Sequence, residues 1–351
     1  LWWARRVPVE VPPPRAADAS PRSAWTLLRT PGLRRLLLVN WMLSASWDVH
    51  SFVVPILGHE RGFSASAIGV VLGVFAVAVA LVRLLVPVFA RRPLFGHHAV
   101  IFSGIFIGFV GFGVWGHHMF TSGMGPIADA AFASTTAIVA IPTGVKIFNW
   151  LGTLWNSKLS FPTPMLFAIG FIPLFTIGGL SGVMHASAPL DLQQHDSYFV
   201  VAHFHYVLVG GSLMGLFAGA YFYLPKISGR MLSETLGKWH FWLFVLGFNT
   251  TFFPQHILGN HGMPRRIFTY PADAGWEVEN LLGTIGVVLM TVAVLIFVYN
   301  VVVSWTRGRL AGNDPWDAAT LEWLTTSPPP EHNFDHTPIV LSERPVWDHK
   351  H

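Results

Sequence analysis

Cysteine is absent from the 351 residues, and charge is scarce: Asp, Glu, Lys and Arg together make up 11%. The first absence excludes disulfides, thiolate-held copper and iron–sulfur clusters in this chain. The second excludes an ordinary soluble domain, in which about a quarter of residues are charged. There is no long basic run, so nothing in the charge pattern points to nucleic acid. The start, Leu1-Trp2-Trp3-Ala4-Arg5-Arg6, has neither a methionine nor a signal-peptide pattern and reads as truncated.

What is present points to a membrane. Hydrophobic residues make up 52% of the chain, and the mean hydropathy is +0.50. Residues 1–33, rich in Pro and Arg, read as a linker or loop. Eight apolar stretches follow, near 34–57, 66–90, 98–119, 129–155, 164–186, 198–224, 238–259 and 281–305. Each has about the twenty apolar residues a spanning helix needs, so the expected fold is an all-α polytopic membrane bundle of about eight helices. Arg34, Arg35, Arg91, Arg92, Lys158, Lys226, Arg230, Lys238, Arg307 and Arg309 alternate onto one side of such a bundle. By the positive-inside rule that side is cytoplasmic, with both termini and the tail 311–351 on it. Arg61, Arg265 and Arg266 fall on the other, cation-poor side.

Histidine is the ligand type to follow, with 17 against 6 tyrosines. In the run His195-Asp196-Ser-Tyr-Phe-Val-Val-Ala-His203-Phe204-His205-Tyr206, the last two histidines are two residues apart. On one helix they diverge by about 200° and cannot share one ion. Each can instead hold its own cofactor, with imidazole as an axial haem ligand, or both are polar residues facing neighbouring helices. His117 and His118 are adjacent, diverge by about 100° on a regular helix, and can converge on one ion only where the helix ends. Met119-Phe-Thr-Ser-Gly-Met-Gly-Pro126 is such an ending, and imidazole suits copper. His97 and His98 lie about 30 Å away along a helix and read as an interfacial pair. Lys146 is an uncompensated cation in an apolar span, which marks a functional position by default.

Four motifs in order carry a resemblance: Gly116-His-His-Met-Phe120, Ala140-Ile-Pro-Thr-Gly-Val-Lys146, His195-Asp196…His203-Phe-His205-Tyr206, and Phe253-Pro-Gln-His256…Gly262-Met-Pro-Arg265-Arg266. Residues 93–310 resemble the C-terminal half, roughly the last six helices, of haem–copper cytochrome c oxidase subunit I. The resemblance implies copper on His117 and His118, a high-spin haem on His203 and a low-spin haem on His205. It implies haem propionates near Arg265, Arg266 and Asp191, and magnesium on His195 and Asp196. Thr143 and Lys146 would belong to a proton path from the cytoplasm. Implied partners are subunit II, which supplies electrons and a further magnesium ligand, oxygen, and cytochrome c or a quinol as donor. A nitric oxide reductase fits less well, because the Lys146 motif and the arginine pair are oxidase-like.

Residues 34–92 resemble two helices of a major-facilitator transporter through Ser64-Ala-Ser-Ala-Ile-Gly69…Arg83-Leu-Leu-Val-Pro87…Arg91-Arg92, with Asp48 as a candidate substrate or proton site. The family's His-Pro-Glu-Val-Tyr motif, its second low-spin haem histidine and the carboxylates of its other proton path are not found. The expectation is therefore a fusion near residue 93 that is inactive alone and needs another chain to complete the copper and low-spin haem sites. A non-functional fusion or transporter fragment is the competing expectation.

Overall fold

The computed structural model describes residues 65–331, 333–334, 338–340, 342 and 344–350. Among them there is no strand, only the isolated bridges Ser197–Pro264 and Arg230–Leu310, so the expected all-α class holds. The first expected span, 34–57, and with it Asp48 lie outside the described residues.

The remaining expected spans fall on helices, except that the 98–119 stretch is regular helix only as far as Val110 and continues as 3₁₀ turns. The helices are α1 Ala65–Ala90, α2 His97–Val110, α3 Pro126–Leu154, α4 Thr163–Ala186, α6 Tyr198–Val207 running on into α7 Met214–Ser228, α8 Glu234–Asn260 and α9 Glu277–Arg307. A short helix, α5 Ala188–Gln194, precedes α6, and α10 Pro345–Lys350 lies in the tail. By length and composition α3, α4, the continuous α6–α7 and α9 are apolar and long enough to cross a membrane. At 27 residues α8 is as long, but Lys238, His240, Asn249 and Gln255 dilute its apolar run.

Proline at the first or second helical position starts α3, α4 and α5, where a missing N–H goes unnoticed. Serine caps α6 and α8: Ser197 Oγ accepts from Phe199 N (3.2 Å) and Ser233 Oγ from Leu236 N (3.4 Å).

The core lies between α1, α4, α6–α7 and α8, and is largely aromatic: Phe89, Phe167, Phe171, Tyr206, Phe222 and Phe248 are essentially without exposure. Lipid tails are as apolar as these side chains, so close packing rather than water exclusion favours their association. Edge-to-face pairs such as Trp150–Phe171 (5.5 Å, 89°) and Phe89–Trp316 (5.7 Å, 80°) are each worth about 0.5–1.5 kcal/mol beyond area. Where α8 crosses α9, a Cβ on Gly247 would stand 2.7 Å from Gly286 O, so only glycine permits that approach. Most of α3 and α9 faces outward.

The tail folds back on the cation-rich end. Trp316 Nε1 donates to Phe222 O (2.9 Å), Lys226 Nζ donates to Thr325 O (2.7 Å) and Asn313 O (3.2 Å), and Arg91 pairs with Asp317 (3.0 Å).

Candidate functional site

Helix α6 begins at the Ser197 cap, so His203 and His205 sit on its second and third turns with Tyr206 buried between its neighbours. Both histidine rings are held by the same nitrogen. His203 Nδ1 lies 3.0 Å from Gly178 O and 3.0 Å from Ser181 Oγ, both on α4. Ser181 Oγ itself donates to Gly178 O (2.9 Å), so the hydroxyl hydrogen is committed and His203 Nδ1 is the donor. His205 Nδ1 donates to Val201 O (2.8 Å), and its ring stacks on Phe252 at 4.0 Å and 16°. Fixing Nδ1–H leaves the Nε2 lone pair as the free ligand atom of each ring, the arrangement a histidine metal ligand requires.

His117 and His118 occupy a 3₁₀ turn, Trp115–His118, where the regular helix α2 has already ended. His117 Nε2 and His118 Nε2 approach to 2.9 Å. His117 Nδ1 lies 3.1 Å from Thr136 Oγ1 on α3, whose own hydrogen goes to Phe132 O (2.6 Å). The same count applies: Nδ1 donates, and Nε2 presents a lone pair to the point where His118 Nε2 arrives. The donor set fits a soft-to-borderline cation such as copper. His117 is also within electrostatic reach of His203, His185 and Asp191. Among the described residues, no three His, Asp or Glu side chains gather round one point.

The loops above α6 are tied together by Tyr198 N donating to Met263 O (3.0 Å) and Arg265 N donating to Asp196 O (2.8 Å). Asp196 (φ 53°) and Arg266 (φ 68°) both adopt the left-handed region that L side chains rarely enter. Arg265 forms an ion pair with Asp196, whose other oxygen lies 3.3 Å from His195 Nε2. Burial pushes the Asp196 carboxyl up, but Arg265, His195 and Arg266 outweigh it and hold the group below the ordinary carboxylate range. Asp191, on α5, is 5% exposed, and its Oδ2 has no hydrogen-bond partner. The unpartnered Arg265 Nε–H suits an anionic group such as a propionate arriving at this end, whereas the orphaned Asp191 oxygen calls for a donor.

Lys146 and Thr143 lie on α3, toward the cation-rich end. Lys146 is half-buried against α2, where a Cβ on Gly104 would be 3.6 Å from its Nζ. Thr143 and Thr136 are three and ten residues back along α3, on the same stripe of the helix, and Thr136 is the His117 partner.

Sequence reasoning missed four features. Gly178 and Ser181 orient His203, and Thr136 orients His117, but hydroxyls and carbonyls of distant helices leave no local signal. The third is His185, at the end of α4, with its ring 5.0 Å from His203 and Nδ1 3.3 Å from Asp191 Oδ1; neither ring nitrogen makes a hydrogen bond. A histidine at the His117–His118 end of an apolar span was the available clue. The fourth is the π-helical turn Leu208–Leu213 that joins α6 to α7, whose Gly210-Gly211 pair was its only sign.

Comparison with known proteins follows this geometry. The model of the family described as cytochrome c and quinol oxidase polypeptide I matches residues 68–289. Cytochrome c oxidase subunit 1 of Alkalihalophilus pseudofirmus is 52% identical over 78% of this chain and 44% of that relative. The Bacillus subtilis protein of the same name is 52% identical over 76% of the chain and 43% of its own length. The chain thus spans less than half the length of these relatives. A cryo-EM structure of a heme-copper terminal oxidase dimer superposes with a TM-score of 0.63 over 78% of this chain and 56% of that one, at 22% identity, which speaks to the fold. The family match begins at residue 68 and runs on through residue 93, so the transporter resemblance of the N-terminal helices is not supported. Packing gives the physical reason: Val82, Leu85, Val86 and Phe89 of α1 are buried in the shared core, as a helix foreign to the bundle would not be. A Val-, Leu- and Ala-rich span is too generic to carry that resemblance.

Proposed function

The chain belongs to the cytochrome c and quinol oxidase polypeptide I family, and from this we propose that it is part of the catalytic subunit of a terminal respiratory oxidase. Its reaction is reduction of oxygen to water by electrons from cytochrome c, coupled to proton translocation across the membrane that its apolar helices span. One observation carries the reading: His117 and His118 converge through Nε2, while His203 and His205 are both held through Nδ1 with Nε2 left for a ligand.

In this reading His203 would hold a high-spin haem and His205 a low-spin haem, and His117 and His118 would hold copper. Bound haem and copper supply electron transfer and oxygen reduction. The residues of the chain do the rest. Gly178 O and Ser181 Oγ orient the His203 imidazole, Val201 O orients that of His205, and Thr136 Oγ1 orients His117. Arg265 has five donors, enough to keep Asp196 and still meet a haem propionate beside Arg266 and Asp191. Asp196 and His195 offer one oxygen and one nitrogen to magnesium, with a further carboxylate from subunit II. Lys146 Nζ holds a proton in the cation-rich half of α3, and Thr143 Oγ1 lies one turn nearer the His117 end. The third copper ligand and the second histidine of the low-spin haem would come from another chain. The cation-rich end faces the cytoplasm. A quinol oxidase differs in the donor; the names of the relatives favour cytochrome c.

Reduced-minus-oxidised spectra of the full chain, co-expressed with the N-terminal half of the Bacillus subtilis subunit, test this. Bound haem with a signal lost in His203→Leu is the expected result. No haem in the unsubstituted complex overturns the reading.

A further inference from the structure

A cavity of about 400 Å³ opens at the cation-rich end, between the start of α8 and the end of α9. Its floor is made by two chain segments that hold each other. Met231 N donates to Arg309 O (2.7 Å), Ala311 N to Gly229 O (3.0 Å), and Arg230 Nη1 to Gly308 O (2.8 Å). A Cβ on Gly308 would stand 2.6 Å from Met231 O, so the approach depends on glycine.

The charges around this cavity are unequal in their commitments. Glu234, its one carboxylate, is turned away: Oε2 accepts from Thr163 N (2.9 Å) and Thr163 Oγ1 (3.0 Å). Arg230 is taken by Gly308 O. Arg307 and Arg309 both line the cavity, both are exposed, and neither makes an ion pair or side-chain hydrogen bond among the described residues. Elsewhere at this end Arg91, Arg92, Lys226 and Lys350 are bound to carboxylates or carbonyls. Met231 and Val303 give the cavity an apolar wall.

Depth adds a second line. Trp305 is 49% exposed in the last turn of α9, and Trp239 and Trp242 are 60% and 61% exposed in the second and third turns of α8. Exposed tryptophans on α9 and on its neighbour α8 mark the level of lipid headgroups. Two uncommitted guanidiniums, an apolar wall and that depth describe an amphiphile with an anionic head. We propose that this cavity binds the phosphodiester headgroup of an anionic phospholipid, with Arg307 and Arg309 on the phosphate and Met231 and Val303 against the chains. Forked guanidinium donors suit phosphate oxygens, and basic cavities between spanning helices at the charged membrane face recognise such headgroups. A free phosphate would use the arginines and ignore the wall and the tryptophan level.

The full chain in detergent, titrated with phosphatidylglycerol or phosphatidylcholine and read by native mass spectrometry, tests this. Arg307→Gln with Arg309→Gln is expected to weaken phosphatidylglycerol binding by about tenfold or more. Lys158→Gln with Lys238→Gln, which removes equal charge at the same end, should leave it unchanged. Val303→Glu, with both arginines intact, should match the arginine loss. Equal loss in the two double variants would show diffuse attraction and overturn the proposal. Displacement of phosphatidylglycerol by an equal concentration of inorganic phosphate would overturn the lipid as its source.

Discussion

The two ends of the bundle differ in how far their buried charged and amide groups are paired. At the cation-rich end, Lys226 is 4% exposed, yet its ammonium meets two carbonyls, and Tyr223, Glu322 and Thr320 close a chain of hydrogen bonds beside it. At the histidine end, His185, Asp191, Gln194, Gln255 and Arg265 all keep buried atoms without a partner; at the cation-rich end Trp150, His240 and Trp323 each keep one. A buried polar atom left unpaired costs about 1–3 kcal/mol. Such a cost is normally avoided, and the larger share of it at the histidine end is what the proposed cofactor site there would account for.

Three substitutions test that contrast. The largest effect is expected from His203→Leu, which removes the Nε2 ligand atom: one haem should be lost entirely by haemochrome assay, with helical circular dichroism and tail protection intact. Next is Lys226→Met at the other end. Two carbonyls lose a charged donor, and stability should fall by about 2–3 kcal/mol in chemical denaturation, with the haem spectrum of the folded protein unchanged. Equal spectral damage from both variants would break the division of labour. The smallest is Thr136→Val, which keeps shape but removes the Nδ1 acceptor of His117. Copper affinity should drop about tenfold by competitive chelation while haem content stays constant.

The helices were legible because apolar runs of spanning length leave few alternatives; α3, α4 and α9 lie within a few residues of their expected limits. The convergence of His117 and His118 was legible because two adjacent rings can meet only at a helix end, and Gly123 and Gly125 with positive φ announced one. Pairings between segments distant in sequence were not legible. Nothing near Asp196 tells that Arg265 will seize it, because that contact depends on the Ser197–Pro264 bridge bringing two loops together. The place of α1 was misread for the opposite reason. Its composition suits almost any bundle, and only the burial of Val82, Leu85 and Phe89 against α4 and α7 assigns it to this one.

The π-helical turn at Leu208–Leu213 lets one continuous rod serve two masters. Below it, Met214, Phe217, Ala218 and Phe222 must face the core; above it, His203 and His205 must face α4 and Phe252. In an unbroken α-helix those two demands are locked in phase by the 3.6-residue period. One extra residue in the winding uncouples them, as a vernier adjusts one scale against another. Deleting Gly211 would restore the regular pitch and turn both histidines by about 100° relative to the lower half. The aromatic floor would stay in place while the ligand atoms swung away from their helix neighbours.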